Sequence, residues 1–118
     1  MSVIQNYKIN FFKRDILNRI YFGMNSSSNL LDQFITDDQK IEDVIETLEA
    51  LIALKNGEIS KMDYSSQSLV TIVANANNAA IYDRPDYTSN SPQFSISTQD
   101  LIIIVEAWKD YIVKNYEK

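Results

Sequence analysis

Glu42, Glu46 and Glu49 stand at i, i+4 and i+7 in the stretch TDDQKIEDVIETLEALIALKNG, Thr36 to Gly57, with Asp43 beside them and Asp38 just upstream. On a helix this spacing puts carboxylates along one face. Carboxylates at such density suit three chemistries: ligation of a hard cation, paired acid and base catalysis, or docking of a cationic partner. The first lacks its usual frame, since DDQKIED has neither the glycine nor the terminal bidentate Glu of a calcium loop. The second needs a substrate cleft and two acids at a set separation, which nothing in the pattern marks. The third gains from the absence of any Lys or Arg between Lys40 and Lys55, because like charges at i,i+4 cost roughly 0.2–0.5 kcal/mol per pair. An ordinary solvated helix face is the competing explanation.

Composition narrows the chemistry further. The 118 residues carry sixteen acids against eleven cations, a net charge of -5, with no histidine and no cysteine. Disulfides, thiolate nucleophiles, cysteine zinc sites and the usual neutral-pH base are therefore excluded. Only two glycines occur, Gly23 and Gly57, so there is no glycine-rich phosphate loop. A non-enzymatic protein without metal or cofactor is expected. The longest strongly apolar run, Leu101 to Val105, is far short of the roughly 20 residues of a membrane helix. MSVIQNYKINFFKRD has no basic region followed by an apolar one and a small-residue cleavage site, so cytoplasmic residence is expected. An acidic surface repels phosphates, which argues against direct nucleic-acid or membrane partners and for a basic protein.

The elements that must position these residues follow from periodicity. Ile9, Phe12, Ile16, Ile20 and Met24 recur at helical spacing after Asn10 and predict a helix, although alternation of Tyr7, Ile9 and Phe11 leaves a strand start open. Gly23 with NSSSN reads as a loop and LLDQFI as a short helical turn. Ile41, Val44, Ile45, Leu48, Leu51 and Ile52 form the stripe of the acidic helix, with Thr36 or Asp37 as its cap and Gly57 as its stop. Asp37 and Asp38 then fall in or beside the first turn, where they complement the helix dipole. From Glu58 to Ser97 the runs EISKMDYS, SLVTIVAN, AAIYD and QFSIS predict an antiparallel meander, with Leu69 to Ala74 as a central strand covered on both faces. SISTQDLIIIVEAWKDYIV closes the chain as a helix capped by Ser97 with Asp100, burying Leu101, Ile104, Val105, Trp108 and Ile112. The expected fold is a single α+β domain over 1–118: a helical N-terminal half, a small antiparallel sheet of three to four strands, and a C-terminal helix packed on the sheet.

Outside the acidic helix, the loop DRPDYTSNSP holds Asp83, Arg84, Asp86 and Tyr87. It reads equally as a polar connection or as a binding loop, since Tyr and Arg are enriched at energetically important interface positions. Asn75, Asn77 and Asn78 suit a turn, because Asn closes Asx-turns. Trp108 and Tyr111 lie on or near the apolar stripe and are assigned to the core.

Read as a whole, YDRPDYTSNSPQFSISTQDLIIIVEAWKDYI has an aromatic- and proline-containing loop, a strand ending in Ser-x-Ser, an Asp-Leu pair opening a helix, and a Trp followed by an aromatic. This order resembles the C-terminal third of small bacterial immunity proteins of contact-dependent growth inhibition and related polymorphic toxin systems, over roughly Ile81 to Ile112. The resemblance implies a cytoplasmic protein that binds one cognate toxin domain and occludes its active site or substrate surface. A basic nuclease toxin fits the acidic charge. The expected contact residues are Asp38, Glu42, Asp43, Glu46 and Glu49, with Asp83, Arg84, Asp86 and Tyr87. A regulatory or adaptor module unrelated to toxins is the alternative.

Overall fold

The structure is a computed structural model that describes residues 2–66, 68–88, 90–91 and 93–116. Its elements run α1 (Val3–Asn6), β1 (Asn10–Ile16), β2 (Arg19–Asn25), α2 (Asn29–Thr36), α3 (Ile41–Lys55), β3 (Met62–Ser65), β4 (Thr71–Ala74), β5 (Asn78–Tyr82), β6 (Gln93–Ser97) and α4 (Thr98–Asn115). The expected α+β architecture holds, with its meander and closing helix. Strands β3-β4-β5-β6 form an antiparallel sheet in sequence order, and β1-β2 form a separate two-stranded ribbon.

The helix expected between Ile9 and Met24 is instead this ribbon. Its turn is two residues long, closed by the Ile16–Arg19 pair, and both central residues have positive φ, Leu17 at 51° and Asn18 at 67°. That conformation matches strand twist and normally recruits Asn-Gly, so Leu-Asn gave no turn signal. Gly23 likewise sits inside β2 and not in a loop. It faces Phe12 across the ribbon, and a Cβ there would lie 2.2 Å from the ring. The glycine makes room for an aromatic side chain laid over the neighbouring strand.

The meander register puts Met62 and Tyr64 of β3 on the same face as Ile72 and Ala74 of β4, Ala79 and Ile81 of β5, and Phe94 and Ile96 of β6. The helices lie on that face. Helix α4 packs against α3, β5 and β6, and α2 packs on β2 and β5. Leu101, Ile104, Val105, Trp108 and Ile112 are all buried, so the apolar stripe expected of α4 is the one observed. On the other face Val73 and Ala80 stay half-buried. Strand β4 is therefore interior to the sheet without being fully covered on both faces. Leu69 lies outside it, 56% exposed, in a turn at φ 69°.

Two hydrogen-bonded turns hold the frame as anticipated. Asn75 Oδ1 accepts from the amides of Asn77 and Asn78 at 2.9 and 3.0 Å and closes the β4–β5 hairpin. The Ser97 hydroxyl accepts from the Asp100 amide at 3.1 Å and starts α4.

Candidate functional site

Helix α3 begins later than Thr36 or Asp37 would have it. Lys40 occupies the cap position without a side-chain bond, and Glu42 and Asp43 are the first-turn acids. Asp37 and Asp38 are thus left in the linker from α2 to α3. Three residues of that linker each fasten a different part of the fold. Gln39 accepts from the Phe22 amide at 2.9 Å and donates to the carbonyls of Phe22 and Thr36 at 2.8 Å, pinning the root of the ribbon. Asp37 accepts from Gln33 through Oδ1 at 2.9 Å, and from the hydroxyls of Ser66 and Ser68 through Oδ2, which ties the linker to the β3–β4 connection. The Asp38 carbonyl accepts from Trp108 Nε1 at 2.9 Å.

This linker forms one end of a cleft of about 320 Å³ between α3 and the β3 edge of the sheet. Asp43, Glu46, Thr47 and Ala50 line it from α3, Met62 and Tyr64 from β3, and Asp37 and Asp38 from the linker. The cleft has a simple origin. Met62 and Tyr64 point to the core side of the sheet, but Tyr64 is still 45% exposed because the helical layer does not extend over this edge. An apolar floor with carboxylates on its walls is the result.

The electrostatics are one-sided, since among the described residues none that lines the cleft is a cation. Partial burial pushes Asp38 up to about 6, helped by the charges of Asp43, Asp37 and Glu46, while a 2.8 Å hydrogen bond from the Thr47 hydroxyl acts in the opposite direction. Tyr64 is also raised, first by burial and then by the same carboxylates. Asp37 behaves differently. Burial pushes it up, but hydrogen bonds from Ser66, Ser68 and Gln33 together outweigh that and hold it below the usual carboxylate range. With both its oxygens engaged, Asp37 is a brace, and Asp38 is the carboxyl whose charge depends on what enters the cleft.

Of the expected contact residues, the cleft brings together Asp38, Asp43 and Glu46. Glu42 and Glu49 are exposed on α3 and continue the acidic face outside the cleft without lining it. Asp83, Arg84, Asp86 and Tyr87 belong to the β5–β6 connection and are not part of it. There Arg84 Nε donates to Asp83 at 3.0 Å, and Tyr87 stacks on Tyr82 with ring centroids 4.2 Å apart. Both of the groups that would make this loop an anchor already have neighbours, Arg84 within the loop and Tyr87 on the last residue of β5. Met62, Tyr64 and Thr47 were not anticipated as site residues. The alternation in MDYS placed Met62 and Tyr64 on one face, but only the register brings that face to α3.

Among the described residues no group of three or more Asp or Glu side chains is placed to hold a metal ion, and no helix is long and apolar enough to cross a membrane. No family model, curated protein or solved structure matches this chain.

Proposed function

We propose that the α3–β3 cleft is a docking site for a cationic segment of a partner protein, and that the chain is an immunity protein which neutralises a basic nuclease toxin by occluding its active site or substrate surface. The observation that carries the reading is the cleft itself. Among the described residues four carboxylates and no cation line it, and one of the carboxylates, Asp38, is held up to about 6. An incoming Lys or Arg would favour the ionised form of Asp38 and fill the space over Met62 and Tyr64 with its aliphatic stem. The toxin assignment draws on the C-terminal resemblance and on charge: acidic inhibitors gain steered association with basic targets and compete with phosphates for the same groove. Such a role places the protein in the cytoplasm.

The test is whether a gene beside this one encodes a large secreted protein with a variable C-terminal toxin domain, and whether the chain binds that domain. Glu46→Lys should weaken binding at least tenfold, equivalent to about 1.4 kcal/mol, while Lys55→Glu at the helix end should change it little. Titration calorimetry in buffers of different ionisation enthalpy should show proton release near pH 6, because the partner's cation drives Asp38 to ionise. Unchanged affinity and on-rate for Glu46→Lys at low salt would remove the cleft from the interface. Absence of such a neighbouring gene, together with capture of a different intracellular partner through the cleft, would favour a regulatory or adaptor module.

A further inference from the structure

The ribbon β1-β2 is the second unusual surface. Its root is anchored: Phe11 packs against Trp108 and Tyr111, Phe22 against Tyr111, and Phe22 and Met24 are buried. Its outer half, from Arg14 to Tyr21, is exposed throughout. At the tip the exposed residues are large and apolar: Leu17 is 92% exposed, Ile16 52%, and Ile20 and Tyr21 41% each. Single exposed apolar side chains are ordinary, but a contiguous group at the end of a projecting arm marks an interaction surface. Leu17 also holds a φ of 51°, which is unfavourable for a residue with a branched side chain.

Charge on the arm runs opposite to the rest of the molecule. Residues 10–25 contain Lys13, Arg14 and Arg19 against the single acid Asp15, whereas the remainder has eight cations against fifteen acids, a net charge of -7. The strand register sorts these side chains by face. Phe12, Arg14 and Ile16 share the outer face with Arg19, Tyr21 and Gly23, and Asp15 falls on the opposite face beside Ile20. The outer face therefore has two arginines and no acid. Arg14 is held there by the Phe12 ring, 5.0 Å from its centroid.

We propose that the chain forms a two-fold dimer in which the arm of each copy docks on the acidic α3 face of the other, Arg14 and Arg19 meeting Glu42, Asp43 and Glu46, and the Ile16–Leu17 tip covering apolar surface between α3 and β3. Charge complementarity selects this occupant, because an arm that is basic and apolar requires a surface that is acidic and apolar, and the molecule carries one. Reciprocal exchange also answers the question of size. One arm is small beside the roughly 1,200–2,000 Å² of a stable interface, and a two-fold axis doubles the contact. The inference stands apart from the toxin reading; where both hold, the partner displaces the arm from the cleft.

The experiment is sedimentation of the purified chain alone. The wild type should sediment at twice 13.6 kDa and dissociate as salt is raised. Leu17→Asp should be monomeric with unaltered circular dichroism, since the residue is exposed and Asp tolerates its backbone conformation. Arg14→Glu with Arg19→Glu should be monomeric, as should Glu42→Lys with Glu46→Lys. Mixing those two double variants should restore dimers, because each arm then meets a face of opposite sign. A wild type that is monomeric at every concentration, a dimer that survives Leu17→Asp, or a mixture that stays monomeric would overturn the proposal. Co-sedimentation of a monomeric wild type with vesicles of phosphatidylglycerol and phosphatidylcholine, lost in Leu17→Asp, would also overturn it and make the arm a membrane element.

Discussion

Replacing Asp38 by Asn tests the electrostatics of the cleft without a partner. The carboxyl is half-buried, faces Asp43, Asp37 and Glu46, and is pushed up to about 6. Its folded pKa lies above its unfolded value, so the folded state binds the extra proton, and ionisation penalises the folded state as pH rises through about 6. A carboxyl raised from near 4 to about 6 would correspond to roughly 3 kcal/mol if felt in full. Asp38 keeps contact with solvent, and screening reduces this to about 1 kcal/mol. Asparagine preserves the shape and can still accept the Thr47 hydroxyl through its amide oxygen, now 2.8 Å from Asp38 Oδ2. Asp38→Asn should therefore match the wild type at about pH 3, where Asp38 is protonated in both states, and exceed it by about 1 kcal/mol at about pH 8. Urea unfolding at a series of pH values measures this as a difference in midpoint at constant slope. A difference that stays flat across the range, or a variant less stable than wild type at neutral pH, would show that the cleft does not penalise the ionised form.

Two further substitutions test the frame around the cleft. Gly23→Ala should cost about 1–2 kcal/mol, because the new Cβ at 2.2 Å displaces the Phe12 ring from its place across the ribbon; a neutral result in chemical denaturation would mean that the ring moves without loss. Trp108→Ala should cost about 3–5 kcal/mol, since the indole is 1% exposed, and Trp108→Phe should still lose about 1 kcal/mol through the hydrogen bond to the Asp38 carbonyl. An emission maximum typical of solvent-exposed indole in the wild type would contradict both expectations.

Chain pattern alone determined those parts whose signals are local. The stripe of α4 from Leu101 to Ile112, its Ser97 cap, the Asn75 turn and the four strands of the meander all announce themselves through periodicity or turn chemistry within a few residues. Local signals were misleading where two periods coexist. Between Ile9 and Met24 the apolar residues fit a helical spacing, and what decides for a ribbon is the burial of Phe22 and Met24 and the packing of half-buried Phe11 against α2 and α4, together with a turn whose Leu-Asn sequence carries no conventional mark. Tertiary packing likewise moved the buried face of α3: Leu54 is fully enclosed, while Ile45 and Ile52 are 40% and 38% exposed. The candidate site divides the same way. Helical spacing placed Asp43 and Glu46 on one face, but spacing has no information about which strand lies opposite. The cleft exists because β3, the element that follows α3 in the chain, is the edge strand left uncovered by the helices, and because Asp37 fastens the β3–β4 connection to the linker that carries Asp38. Charge along a chain is set by sequence; the environment that shifts a carboxyl is set by the neighbours that folding brings to it.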